Sequence, residues 1–219
     1  MDWRAHLVDG IGLWRQVIRP VDGPALFLDR DGVVIDDPGY PRRAEDVVVI
    51  DGAAAVIGAC NARAVPVVLV TNQAGIGRGY YEWADFAAVQ ERLHALLGEA
   101  GVVLDMVLAC AFHEDGVPPY DVADHPWRKP GPGMLLAAGE ALGLDLARSW
   151  IVGDKAIDMA AGRAAGVAGG FHVATGHGAR QRESALAVAG GGFDVRAGAG
   201  ISDAMALVAL LAGADEGAP

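Results

Sequence analysis

The sequence predicts a doubly wound α/β fold, a mostly parallel sheet in one core domain. Three observations carry this expectation. Short apolar, largely β-branched runs recur at Ala25-Leu26-Phe27-Leu28, Val67-Val68-Leu69-Val70 and Trp150-Ile151-Val152, and a run apolar on both faces reads as a strand buried in a parallel sheet. Segments of helical spacing lie between the runs, so that strands and helices alternate. Each run is closed by polar residues, which places chemistry at the strand carboxyl ends, where open α/β sheets bind ligands.

Taken in order, Trp3, Leu7, Ile11, Trp14 and Ile18 recur at spacings of three and four and predict an amphipathic helix within residues 1–20, despite Gly10 and Gly12. This extension is expected to pack on its own domain or to form a dimer contact, so the chain is read as a monomer or homodimer. The main domain is assigned to residues 21–219. Asp51 is placed to cap a helix over residues 52–63. Residues 74–81 read as a glycine-rich loop, and Phe86, Val89, Leu93, Leu96 and Leu97 mark an amphipathic helix over 82–98. A strand is expected over 105–112, then a helix with Pro132 in its first turn and Gly143 at its end. Further strands are expected at 150–152 and 171–174, with a last short one at 193–195 and a final helix capped by Ser202 and running to Leu211. Neither 31–71 nor 71–129 has room for a second folded domain. Loops, with no large cap domain, are therefore expected to cover the site.

Composition narrows the function classes. The hydrophobic share of 53% is slightly high, but the excess is mostly Ala and Gly and no apolar run approaches the ~20 residues of a membrane span. The start, Met1-Asp2-Trp3-Arg4, lacks a basic segment followed by an apolar core, so no secretory signal is read and a cytoplasmic protein is expected. Cys60 and Cys110, the only cysteines, are then expected as free thiols. A net charge of −11 argues against a nucleic-acid surface. A phosphorylated ligand must therefore rely on a local positive focus, for which Arg42, Arg43, Arg78, Arg128, Lys129 and Lys155 are the candidates. Lys129 and Lys155 are the only lysines in the chain, and both fall in polar clusters, which suggests point-charge contacts to oxyanions or carboxylates.

The most informative stretch is Asp29-Arg30-Asp31-Gly32. Alternation along an extended chain points residues i and i+2 the same way, so two carboxylates face one place just beyond the strand end. A divalent cation relieves their repulsion, and Mg²⁺ takes one or two carboxylates while leaving positions for phosphate oxygens. An ordinary acidic turn would also explain the tetrapeptide. Clusters in the same position after other strands favour the first reading: Thr71-Asn72-Gln73, Gly153-Asp154-Lys155 with Asp158 a helical turn on, and Arg128-Lys129 before Pro130-Gly131-Pro132-Gly133.

In this order Asp29-x-Asp31-Gly32, Thr71-Asn72, Lys129 and Gly153-Asp154-x3-Asp158 resemble the signature of the haloacid-dehalogenase-like (HAD-like) phosphatases. Asp37-Pro38-Gly39-Tyr40, Thr71 through Gly79, Arg128-Lys129-Pro130-x2-Gly133 and Val152-Gly153-Asp154-Lys155 sharpen the resemblance. They point to the branch of D-glycero-D-manno-heptose-1,7-bisphosphate 7-phosphatase and the histidinol-phosphate phosphatase domain. The resemblance spans about Pro24 to Gly176. It implies a Mg²⁺-dependent phosphomonoesterase acting on a small phosphorylated metabolite through an aspartyl-phosphate. Asp29 would be the nucleophile and Asp31 the general acid/base; Thr71, Asn72 and Lys129 would hold phosphoryl oxygens. Asp29, Asp31 through its backbone carbonyl and Asp154 would ligate the metal, with Asp158 in the outer shell. Asp158 also reads as a simple helix N-terminal acid, and Lys155 as a chain snorkelling from a helix start or as a group orienting Asp29. Substrate contacts are expected from Asp37, Gly39, Tyr40, Asn72, Gln73, Ala74, Arg78, Arg128 and Lys155. Heptose bisphosphate is the expected substrate, with histidinol phosphate as the alternative; a phosphate-binding module without turnover is a reading from another class.

The chain departs from these relatives in one loop. Many carry a zinc cage of Cys-x-His and Cys-x-Cys, whereas this chain has Cys110 and Phe112, then His125 and Trp127. Zinc is therefore not expected, although Cys110, His113 and His125, with Asp124, could form an altered site.

Overall fold

A computed structural model describes residues 2–213. Seven strands form one sheet: β1 (Leu13–Val17), β2 (Leu26–Leu28), β3 (Val67–Asn72), β4 (Met106–Cys110), β5 (Trp150–Gly153), β6 (Gly169–His172) and β7 (Asp194–Ala197). Their spatial order is β1-β4-β3-β2-β5-β6-β7, parallel throughout except for antiparallel β1. The helices are α1 (Ala53–Asn61), α2 (Ala74–Gly77), α3 (Trp83–Glu99), α4 (Gly133–Leu142), α5 (Ala156–Ala165), α6 (Gly178–Leu186) and α7 (Met205–Leu211). The chain winds outward from β2 through β3 to β4, then crosses back to place β5 on the other side of β2. That reversal opens a crevice at the carboxyl ends of β2 and β5, where ligands of such sheets bind.

Alternation along the strands divides the core into two layers. Leu26, Leu28, Leu69 and Val152 pack with Val56 and Ile57 of α1, Phe86 and Leu93 of α3 and Leu207 of α7. Phe27, Val68, Val70 and Ile151 face the other way, onto Met134 and Leu135 of α4 and Met159 of α5. Both faces of the parallel strands are thus covered, as their unbroken apolar runs require. At about 25 cal/mol per Å², each large side chain so buried contributes about 1.5–3 kcal/mol.

The N-terminal expectation is corrected. Residues 3–18 do not form a helix: a 3₁₀ turn, Trp3–His6, is followed by the edge strand β1. Asp9 explains the break, because its Oδ1 accepts the N–H groups of Ile11, Gly12 and Leu13 at 2.9–3.0 Å, an alternative to helical bonding. Gly12 must lie close to the Phe112 ring, 2.7 Å from where its Cβ would stand. The period along β1 is two: Leu13 enters one layer and Trp14 the other. The spacings of three and four caught Trp14 but not this alternation. Trp14 stacks on Trp83 and meets Phe86 edge-on, centroids 5.8 and 5.1 Å away, joining the segment to α3.

Other elements shift less. Asp51 does not cap α1, which starts at Ala53 after Gly52 without a side-chain cap. The loop expected over 74–81 contains the single turn α2, and α6 was not anticipated. Ser202 is not the cap of the last helix either: Asp203 accepts from the N–H of Ala199 at 2.6 Å, and a 3₁₀ turn, Ile201–Ala204, leads into α7. Met1 and residues 214–219, assigned above to the extension and the domain, lie outside the described residues. No helix among the described residues is long and apolar enough to cross a membrane.

Candidate active site

The site starts where β2 ends. Asp29 N–H still bonds the Val152 carbonyl of β5 at 2.9 Å, after which the chain turns: the Arg30 carbonyl accepts from Val34 and Ile35 at 2.9 and 3.0 Å. Gly32 adopts φ +83° and Gly176 φ +57°, and the two backbones meet over Asp154. A Cβ on Gly32 would lie 2.9 Å from Asp154 Oδ2 and from Gly176 Cα. Only glycine meets both demands, positive φ and close approach. Thr175 ties this crossing down by donating its hydroxyl to the Gly32 carbonyl at 2.6 Å.

Three carboxylates converge below the turn. Asp29, Asp154 and Asp158 each offer an oxygen within 4.8 Å of the others, and all three are buried. Lys129 stands among them, only 2% exposed, with Nζ 3.0 Å from Asp29 Oδ1, 2.6 Å from Asp158 Oδ1 and 2.9 Å from the Val70 carbonyl it bonds. The Val70 carbonyl takes a directed N–H bond, while Asp29 and Asp158 are close ion-pair partners of the same ammonium. Burial works against this charge, but Asp158 and Asp29 outweigh it and raise the Lys129 pKa. Burial raises Asp158 to about 6 and, joined by the negative charge of Asp29, raises Asp154 as well. Asp158 also caps α5, accepting the Lys155 N–H at 3.0 Å, so the helix-terminal reading holds and the same carboxylate lies in the acidic cluster.

The cluster fits a hard divalent cation. Asp154 accepts the His177 N–H through Oδ2 at 2.8 Å, while its buried Oδ1 takes no hydrogen bond and has only the Lys155 ammonium, 3.4 Å away. An all-oxygen donor set with a surplus of negative charge and an oxygen free of hydrogen bonds suits Mg²⁺. The Asp31 side chain is not in this cluster; its carboxylate is held by Arg30 instead.

The β3 end supplies the opposite wall. Asn72 exchanges two hydrogen bonds with the Lys129 backbone, accepting its N–H at 3.0 Å and donating to its carbonyl at 2.9 Å. That reciprocal pair docks the loop before α4 onto the sheet and delivers Lys129. Thr71 accepts from Gln73 Nε2 at 2.8 Å, which leaves its hydroxyl hydrogen free to donate into the cleft. The Gln73 side chain does not reach the cleft: it is 1% exposed and bonded beneath the site.

Three loops form the rim. Asp37 accepts the Gly39 N–H at 2.9 Å and lies 3.3 Å from His177 Nε2. Arg78 spans two loops, donating to the Tyr40 hydroxyl at 2.7 Å and to Asp115 at 3.0 Å. Arg128 donates to the Phe112 carbonyl at 3.1 Å, and burial, with the nearby positive Arg78, lowers its pKa. Burial and the two guanidinium groups also lower the His113 pKa and favour the neutral ring. His113 Nδ1 accepts the Asp115 N–H, and its Nε2 lies 3.1 Å from Arg78 Nη2. Asp29, Asp31, Asp37, Gly39, Tyr40, Thr71, Asn72, Ala74, Arg78, Arg128, Lys129 and Lys155 all line this one cleft. Sequence reasoning missed His177; the Gly176-His177-Gly178 turn after a strand was its only signal. It also gave His113 no role beyond the altered metal site.

The altered zinc site does not assemble among the described residues. Cys110 is wholly buried in the β4 layer, and burial pushes its thiol up to about 12. His125 stacks on Phe112, centroids 4.4 Å apart, and His113 faces Arg78. Elemental analysis of the purified protein is therefore expected to find well below one zinc per chain, and a zinc chelator with Mg²⁺ in excess should leave Tm unchanged, because a structural zinc would contribute folding free energy. Stoichiometric zinc lost in Cys110→Ser would contradict this.

Comparison with known proteins agrees with the geometry. A family model described as HAD-hydrolase-like matches residues 126–192. The chain is 52% identical over 172 residues to the D-glycero-beta-D-manno-heptose-1,7-bisphosphate 7-phosphatase of Mesorhizobium japonicum, covering 77% of this chain and 79% of that one. It is 45% identical over 144 residues to the alpha-anomer enzyme of Burkholderia mallei, covering 65% and 76%. Among solved structures, a HAD-like phosphatase of Mesorhizobium loti superposes with a TM-score of 0.81 at 44% identity, covering 94% and 97%. The D,D-heptose 1,7-bisphosphate phosphatase of B. bronchiseptica, complexed with magnesium and phosphate, gives 0.70 at 29% identity, covering 84% and 96%.

Proposed function

Because the chain belongs to the HAD-like phosphatases, among the heptose-bisphosphate phosphatases, we propose that it removes the C7 phosphate of D-glycero-D-manno-heptose 1,7-bisphosphate. The observation that carries this reading is one cleft with two poles. At one end Asp29 and Lys129 line it, backed by the buried carboxylates Asp154 and Asp158; at the other Arg78, Arg128 and His113 offer positive and polar groups to a second anion. A bisphosphate matches both poles.

Asp29, whose carboxylate has no proton to lose, attacks phosphorus in line and forms an aspartyl-phosphate. Asp31 protonates the departing sugar oxygen, then takes a proton from the water that cleaves the intermediate. Thr71 and the Asn72 backbone amide hold phosphoryl oxygens, and Lys129 keeps the charge of Asp29 and Asp158 balanced. Asp29, Asp154 and the Asp31 backbone carbonyl would hold Mg²⁺, which would supply neutralisation between nucleophile and phosphate. Two buried free thiols, Cys60 and Cys110, and a phosphorylated sugar substrate favour a cytoplasmic enzyme.

A phosphate-release screen with Mg²⁺ tests this proposal. One equivalent of phosphate is expected from the bisphosphate, with the C1 phosphate retained. Heptose 7-phosphate and histidinol phosphate should be poorer substrates by at least about tenfold in kcat/KM, since losing hydrogen bonds to a charged group costs roughly 1.5–3 kcal/mol. The named relatives act on different anomers, so both belong in the screen. A preference for histidinol phosphate would overturn the substrate assignment.

A further inference from the structure

Resting on the reading of Asp31 as the acid/base, we infer that Arg30 is a positioning residue that holds the Asp31 carboxylate in the orientation proton transfer needs. Arg30 is the largest fully buried side chain, at 0% exposure. An arginine sealed from water is destabilising unless its donors are used, and an apolar residue of similar size would fill the space more favourably. Here Nε and Nη2 converge on one group, while Nη1 is left without a hydrogen-bond partner. Nε reaches Asp31 Oδ1 at 2.8 Å and Nη2 reaches Oδ2 at 3.1 Å, a two-point fork that sets the carboxylate plane as well as its position.

A second layer fixes the fork. Arg30 Nη2 donates to Gln73 Oε1 at 3.2 Å, and the Tyr81 hydroxyl donates to the same oxygen at 2.5 Å. With two donors on Oε1, the Gln73 amide has one orientation. Its Nε2 must then face Thr71 Oγ1, at 2.8 Å, and Asp31 Oδ2, at 3.3 Å. The Phe86 ring lies 5.1 Å from the guanidinium carbon and backs it from α3. Groups from the β2 turn, the β3 end and α3 thus meet on a carboxylate that is itself only partly exposed, and none of them lines the cleft except Thr71, Tyr81 and Asp31.

The step served is balanced as follows. The bond from Asp29 to phosphorus forms while the bond from phosphorus to the sugar oxygen breaks, and the Asp31 proton passes to that oxygen. Water then attacks phosphorus and gives a proton to Asp31, and the bond to Asp29 breaks to release inorganic phosphate. Protonation matters when the leaving oxygen is an alkoxide and little when it is p-nitrophenolate. The inference therefore predicts a dependence on leaving group that a packing role would not produce.

The test compares kcat/KM for heptose bisphosphate and p-nitrophenyl phosphate in wild type, Arg30→Lys, Gln73→Met and Asp31→Asn, each with its Tm. Arg30→Lys keeps the charge but not the fork. It should lose roughly 10–10²-fold on the sugar phosphate, the scale of effect of a misplaced reacting group, and less than about threefold on the aryl ester. Gln73→Met should show the same split with a smaller loss, and it serves if the lysine variant does not fold. Equal losses on both substrates, wild-type rates on both, or failure of both variants to fold would overturn the positioning role. If Asp31→Asn itself loses equally on the two substrates, the acid/base reading of Asp31 fails first.

Discussion

Asp29→Asn is expected to abolish phosphate release, by roughly 10⁴-fold or more, the scale seen when a covalent nucleophile is deleted, while leaving the fold intact. Asparagine has the shape of aspartate and can still accept from the Arg30 N–H that now bonds Oδ1 at 2.8 Å. It relieves one of three crowded carboxylates, so stability should hold or rise. What it cannot do is present an anionic oxygen to phosphorus. Phosphate release under single-turnover conditions and a thermal melt check the two halves separately. A folded variant with undiminished turnover would remove the aspartyl-phosphate mechanism.

Lys129→Met has the second largest expected effect, and it acts on stability as well as rate. The ammonium is the only buried positive group in contact with both Asp29 and Asp158 among the described residues. Deleting one partner of a buried ion pair costs about 3–5 kcal/mol, because the other charges stay behind unpaired. For a domain of this size that corresponds to a fall in Tm of roughly 6–20 °C. Saturating Mg²⁺ should recover part of the loss, since a cation that binds only the folded state stabilises it by mass action and here also takes up the uncompensated charge. Activity should fall by about 10²-fold or more, as for removal of one electrostatic stabiliser. A variant that melts like wild type without Mg²⁺ would mean that Lys129 does not neutralise the cluster.

β2, β3 and β5 were legible because each is buried on both faces, so apolar runs of three or four residues closed by polar ones read as interior strands. The site was legible for the same reason: a polar residue following such a run must emerge at the sheet's carboxyl edge. Asp29 and Thr71 each follow one and line the cleft, and Asp154, after Gly153, lies buried beside Asp29. β1 was not legible, because an edge strand has one ladder and a mixed pattern, and its aromatic residues happen to repeat near helical spacing as well.

By itself, then, the sequence determined the α/β class and the placing of its polar clusters at the carboxyl ends of the strands, since these follow from local pattern and from the order of motifs along the chain. Tertiary structure decided which residues of those clusters touch. Asp158 joins the carboxylate cluster while capping its own helix, Asn72 uses its side chain on the Lys129 backbone, and Gln73 lies beneath the site as a partner of Arg30 and Tyr81. His177, 23 residues from Asp154, brings its backbone N–H to that carboxylate and its ring to Asp37. Hydrogen bonds and ion pairs between groups far apart in the chain depend on angstrom-level placement by the packed layers, and no local pattern encodes that placement.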